Sequence, residues 1–223
     1  MRDGVALLHG VLRTRWSMAR LARRLEAEGR LVANIDYPSR RHPLERLAEI
    51  VHPEISALAA RVEGRLHFVG HSMGGLLIRA YLARFRPANL GRVVMIGTPN
   101  RGSELADLLA DLRLYRALFG PAGRQLVTDQ SGFADLFGPV DYEVGIIAGR
   151  LSANPLGEFI FGGPNDGKVS VARARLDGAR AFAALPVSHT FAMESRTVWR
   201  HVSTFLDTGA FPAREAPARL RRT

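Results

Sequence analysis

The chain has no cysteine, so disulfides, thiolate metal sites and a cysteine nucleophile are all excluded. Lysine is almost missing as well. Lys168 is the only lysine among 31 basic residues, so the other 30 are arginines, set against 21 acidic residues for a net charge of +10. Aromatic residues make up only 8% of the chain, and they do not interleave with the arginines clustered near the first expected helix (Arg13, Arg15, Arg20, Arg23, Arg24, Arg30) or near the end (Arg214, Arg219, Arg221, Arg222). No zinc-finger, RRM or KH pattern is present, so specific nucleic-acid binding is not expected. The charge suggests at most weak contact with an anionic membrane surface. Long apolar runs are missing too. The first one, Val5-Ala6-Leu7-Leu8, is far too short to span a bilayer and lacks the cleavage pattern of a secretory leader. A cytoplasmic location is the expectation, with a leader removed beforehand as the alternative. Finally, there is no His-Glu-x-x-His, no calcium-loop spacing of carboxylates and no G-x-x-x-x-G-K-[ST], so neither a metal nor an organic cofactor is expected.

What the chain does contain is an alternation of two periodicities. Short apolar runs at Val5–His9, Leu31–Tyr37, Leu66–His71, Arg92–Gly97, Glu143–Ala148 and Ala179–Leu185 read as strands. Several are nearly continuous in Val, Leu, Ile and Phe, the pattern of strands covered on both faces. Between them Met18, Leu21, Ala22 and Leu25 fall at helical spacing up to Gly29. Ile55, Leu58, Ala59 and Val62 repeat that spacing after Pro53, which suits a first helical turn. Val198, Val202 and Phe205 mark a last amphipathic helix. Strands separated by helices imply crossovers, hence an α/β fold with a mostly parallel sheet of about six strands and helices on both faces. One domain is expected over 1–208, followed by a flexible basic tail over 209–223. The stretch 103–137 has no strand, and its leucine stripe (Leu105, Leu108, Leu109, Leu112) reads either as an ordinary crossover helix or as a cap over the ligand-side edge of the sheet. The cap is favoured, because long connections in compact domains tend to be functional.

Gly70-His71-Ser72-Met73-Gly74 spells G-x-S-x-G between the strand Leu66–Val69 and a helical run from Leu76. Strand, tight turn and helix in that order are what a nucleophile elbow requires, with a serine hydroxyl projecting from a strained turn whose flanking residues lack bulk. The chain thus resembles bacterial α/β-hydrolases of the small lipase/carboxylesterase type, from about residue 4 to 206. Besides the elbow, the likeness is carried by Leu8-His9-Gly10, Gly97-Thr98-Pro99-Asn100-Arg101-Gly102-Ser103, Asn165-Asp166-Gly167-Lys168-Val169-Ser170-Val171 and Ser188-His189-Thr190. Many lipases have histidine where this chain has Asn100, a difference that bears on lid anchoring or substrate range more than on the chemistry.

A serine hydroxyl needs a base to take its proton, and the base needs an anionic partner to fix its tautomer. On this fold the order is serine, acid, histidine. His189 and His201 lie late enough. His189 follows the last strand in a loop, where strand ends gather at the ligand edge, whereas His201 sits inside the final helix. Asp141, Asp166 and Asp177 compete as the acid. Asp166 lies in a Gly/Pro/Asn loop after the fifth strand, while Asp141 precedes that strand and Asp177 looks like a turn residue beside Gly178. The expected triad is Ser72, Asp166 and His189. The other histidines (His9, His42, His52, His67, His71) read as structural. The backbone N–H of Met73 is the first oxyanion donor, and the resemblance implies Val11 as the second, with Leu12 as runner-up. Leu12, Trp16, Leu109 and Leu112 are the expected substrate contacts, although Trp16 reads equally as packing at the helix start. The expected activity is hydrolysis of a small-molecule or lipid ester of short to medium acyl chain through an acyl-enzyme. Acyl transfer or lyase chemistry by the same residues is the alternative within catalysis, and a silent hydrolase-fold binding protein the alternative outside it.

Overall fold

A computed structural model describes residues 2–102, 120–122, 134–152 and 161–213. Six strands form one sheet: β1 (Gly4–Leu8), β2 (Leu31–Ile35), β3 (Leu66–His71), β4 (Leu90–Ile96), β5 (Val144–Gly149) and β6 (Ala181–Leu185). Their order is β2-β1-β3-β4-β5-β6, and every pairing is parallel. All the strand C-termini therefore open on one edge, where the loops that follow β1, β3, β4, β5 and β6 gather.

Alternating side chains explain how both faces are covered. From β1, Ala6 and Leu8 enter one apolar layer with Leu47, Val51 and Ile55 of α2 (Leu44–Arg61) and Leu77 and Tyr81 of α3 (Met73–Arg84). Val5 and Leu7 enter the opposite layer with Leu21 and Leu25 of α1 (Ala19–Ala27) and Val202 and Phe205 of α4 (Arg196–Thr208). Each fully buried Val, Leu, Ile or Phe among them contributes roughly 1.5–3 kcal/mol. The central strands β1, β3 and β5 are buried along their whole length, whereas the edge strands β2 and β6 are largely half-buried. That difference is why the inner strands read as near-continuous apolar runs.

One expectation about local structure needs correction. Pro53 does not open a helix; it sits inside α2, which starts at Leu44 after Pro43. The stripe Leu44, Leu47, Ala48, Val51, Ile55 and Leu58 is buried throughout, and its packing carries the helix past an exposed proline that removes one interior hydrogen bond. The other helical stripes fall where expected, with Met18 in a 3-10 turn (Arg15–Met18) that leads into α1. At the far end Gly209 caps α4 at φ 75°, and Phe211 folds back with its ring 5.2 Å from that of Phe205. The chain thus stays on the body for a few residues past 208. Residues 103–119 and 123–133, and with them Leu109 and Leu112, lie outside the described residues, as do 214–223. No helix among the described residues is long and apolar enough to cross a membrane.

Candidate active site

Ser72 is the residue between β3 and α3, at φ 55° and ψ −125°. A non-glycine residue held there stores strain and persists only where its surroundings over-determine it. They do so here. The Ser72 N–H donates to the Ile96 carbonyl at 2.8 Å, and the Ser72 carbonyl accepts from the Gly75 N–H and the Thr98 hydroxyl, each at 3.0 Å. Gly74 permits the close crossing of α3 over β1, since a Cβ there would sit 2.1 Å from the Leu8 carbonyl oxygen.

The Asp166 loop is tied down by its own backbone. Asp166 Oδ1 accepts the N–H groups of Lys168 at 3.0 Å and Val169 at 2.8 Å, and Asn165 Oδ1 accepts the Gly167 N–H at 3.0 Å. That leaves Oδ2 to take the Nδ1–H of His189 at 2.8 Å, while the His189 N–H donates to the Asp166 carbonyl at 2.9 Å. Both side chains are almost fully buried. The pair fixes the imidazole tautomer with Nδ1 protonated, so Nε2 is the free acceptor. Gly97, at φ 57°, lets the β4 turn pass beneath them: a Cβ there would lie 3.1 Å from both Asp166 Oδ2 and His189 Nδ1. Gly97 directly follows Ile96, the partner of the Ser72 N–H. The elbow and the acid–base pair are thus pinned to the same end of β4.

Two histidines that read as structural turn out to brace this edge. His71 Nε2–H donates to the His189 carbonyl at 3.0 Å, with the two rings 4.8 Å apart. Burial above all, and then the neighbouring His189, push His71 well below the usual imidazole range, so it is neutral. His9 stacks on Tyr37 at 4.1 Å, donates from Nδ1 to the Gly10 carbonyl at 2.9 Å, and receives the Tyr37 hydroxyl on its own carbonyl. Burial also lowers His9 and raises the Tyr37 phenol. These contacts hold the loop on which Val11 sits, half-buried after Gly10. Met73, whose N–H opens α3, has a fully buried side chain. No sequence pattern marks the bracing groups, because Tyr37 and His189 are remote in sequence from the histidines they meet.

The other candidates are held elsewhere. Asp141 pairs with Arg86 at 2.6 Å, Asp177 is 92% exposed and pairs with Arg101, and His201 Nδ1–H donates to the Thr197 carbonyl at 2.8 Å within α4. Asn100 is buried, and its Nδ2 donates to the Ala174 carbonyl at 3.0 Å, tying the β4 loop to a helical turn at Val171–Ala174. Leu12 borders a groove just past the loop that carries Val11. Trp16 is 74% exposed and lines a separate groove with Ala33, Leu58 and Arg61 at the β2 edge. Among the described residues no cluster of His, Asp or Glu is arranged to hold a metal ion.

An all-parallel sheet with a strained serine elbow and a buried Asp–His pair at one edge defines a class of fold and site. Residues 7–133 match the alpha/beta hydrolase fold family, and the chain belongs to it. A 55-residue stretch is 46% identical to triacylglycerol lipases of Pseudarthrobacter phenanthrenivorans and Burkholderia plantarii. That stretch is 25% of this chain but only 17% and 15% of those two proteins. Among solved structures, a Bacillus licheniformis lipase in its mature form superposes with a TM-score of 0.74 at 20% identity, covering 93% of this chain and 92% of that one. A metagenomic carboxyl esterase gives 0.64 at 19% identity, over 84% of this chain and 64% of its own. At such identities the likeness is one of fold.

Proposed function

We propose that the protein is a serine hydrolase that cleaves carboxylic esters of short to medium acyl chain through an acyl-enzyme. The observation that carries this reading is the Asp166–His189 pair, with one carboxylate oxygen spent on loop N–H groups and the other on His189 Nδ1, beside a serine in a left-handed backbone conformation. Nothing in the packing of a silent scaffold requires that combination.

Ser72 Oγ attacks the ester carbonyl while His189 Nε2 takes its proton. Asp166 holds the imidazole and stabilises it as it becomes charged. The carbonyl oxygen becomes an oxyanion facing the N–H groups of Met73 and Val11, each donor worth roughly 3 kcal/mol in the transition state. His189 then protonates the departing alcohol, and water, deprotonated by the same nitrogen, releases the acid and restores Ser72. The identity to lipases in the matched stretch supports an ester as the scissile group. In this reading the 103–137 segment, most of which lies outside the described residues, sets chain-length preference. The test is a fluorophosphonate probe followed by mass spectrometry, run alongside p-nitrophenyl esters of graded length. Labelling at Ser72 with concurrent loss of turnover is expected, and turnover that survives complete labelling would remove Ser72 from the mechanism.

A further inference from the structure

The rim of the candidate active site carries more positive charge than the triad needs. Past Gly10 the chain turns outward through Leu12, which holds φ 60° and is 41% exposed. A branched side chain adopts that conformation only where its surroundings impose it. Here it presents the leucine to an open groove of about 520 Å³. Tyr37 and Pro38 give the groove an apolar wall, and Arg13, Arg40 and Arg41 give it a charged one. Among the described residues, Asp36 is the one acidic residue lining it. Its Oδ1 is already engaged, accepting the Arg15 N–H at 3.0 Å and facing His9 Nε2 at 3.2 Å.

The groove adjoins the candidate site through two of its residues. Its Tyr37 is the residue whose ring and hydroxyl hold His9, next to the oxyanion loop. Its Arg13 extends to the Thr190 hydroxyl at 3.5 Å, one residue past His189. On the Asp166 loop, Lys168 gives its backbone N–H to Asp166 Oδ1, and its ammonium is lowered by partial desolvation and then by Arg13. A neutral acyl chain has no use for three arginines at the mouth.

We propose that the preferred substrate is an ester bearing a second, anionic oxygen group, a carboxylate or phosphate, which Arg13, Arg40 and Arg41 hold while the ester carbonyl meets Ser72. This rests on the ester-hydrolase reading and narrows it. The acyl C–O bond breaks, water supplies a hydroxyl to the acid and a proton to the alcohol, and the anionic group passes through unchanged. Guanidinium groups suit such oxygens because their N–H pairs match them geometrically.

The experiment compares soluble, monomeric ester pairs on the full chain: p-nitrophenyl butyrate against mono-p-nitrophenyl glutarate, and butyrylglycerol against butyrylglycerol phosphate. The anionic member of at least one pair is expected to have a kcat/KM about tenfold higher at low salt, given a factor of up to about five for each exposed ion pair. The pair that responds tells carboxylate from phosphate. The advantage should shrink as ionic strength rises to about 0.5 M. The double substitution Arg40→Glu with Arg41→Glu should lower kcat/KM about tenfold more for the anionic member than for the neutral one, and Arg40→Gln with Arg41→Gln should fall in between. Equal rates within both pairs, or a preference for the neutral members, overturns the proposal. It is also overturned if the soluble pairs are equal and selectivity appears only for esters embedded in phosphatidylglycerol vesicles, which would make the arginines a surface-adsorption patch. Hydrolysis of none of the four esters removes the proposal together with the reading beneath it, whereas turnover of neutral esters alone spares that reading.

Discussion

The proposed nucleophile and its two proposed partners differ in how much of their work is done by the side chain. Ser72→Ala deletes one oxygen at the tip of a turn whose geometry comes from the backbone bonds to Ile96 and Gly75. The fold should survive while ester hydrolysis and fluorophosphonate labelling disappear together. If the alanine variant still turns over p-nitrophenyl butyrate near the wild-type rate, another nucleophile is at work. Asp166→Asn and His189→Ala should each lower kcat by roughly a thousandfold or more. Asp141→Asn, Asp177→Asn and His201→Ala should stay near wild type, since their partners are Arg86, Arg101 and the α4 backbone. A severe loss in Asp177→Asn with a mild one in Asp166→Asn would reassign the acid. The three candidates could be picked out from spacing because the chemistry demands those residue types in that order. The braces could not. The Tyr37 hydroxyl meets the His9 carbonyl, and His71 meets the His189 carbonyl, across 28 and 118 residues, and no local pattern encodes such meetings.

Among the elements, the inner strands were readable because burial on both faces leaves an unbroken apolar signature, and the helices because each keeps one stripe. Pro53 misled because a proline is ordinarily a boundary, and only the stripe on both sides of it, from Leu44 to Leu58, shows that packing overrode it. That conflict is testable. Pro53→Ala restores an interior hydrogen bond at an exposed position, a gain of up to about 3 kcal/mol in helix propensity, offset by about 1 kcal/mol of added freedom in the unfolded chain. Thermal unfolding should move up by a few degrees; a drop in Tm would mean that the ring itself packs. The 103–137 segment calls for a different measurement. If it is the proposed cap, Leu109→Ala or Leu112→Ala shifts the chain-length optimum of kcat/KM in graded fashion, each methylene being worth about 1–3 kcal/mol, while Ser72 stays reactive to the probe. A Tm loss of the kind expected from about 2–5 kcal/mol, with an unchanged chain-length profile, would make the segment a plain crossover.

At the scale of the whole molecule, three buried histidines are expected to set the acid limit of stability. Burial is the largest cause lowering His9, His67 and His71 from the usual 6.5, although Asp36 and Asp3 partly oppose it at the first two. A folded state that resists protonation binds fewer protons than the unfolded chain. Its stability is therefore complete above about pH 6.5 and falls as the pH drops below that value. The Tm should decline between pH 7 and 5, and His71→Gln, which keeps an N–H for the His189 carbonyl, should flatten the decline. An unchanged Tm across that interval would show that these rings do not control acid unfolding. Glu143, held below its ordinary 4.5 by Arg92, comes into play only at lower pH.

The strand order has one more consequence, which concerns the chain while it is being made. Ser72 closes the third strand, but Asp166 and His189 arrive only after the fifth and the sixth, and every pairing that would bring them to the serine is parallel and long in sequence. A ribosome-bound polypeptide can shape the elbow from its first half and still lack the base proposed for Ser72. On the proposed mechanism, synthesis itself thus keeps the nascent protein inert until His189 has emerged, and a truncated product stopping before residue 189 carries a serine without that base.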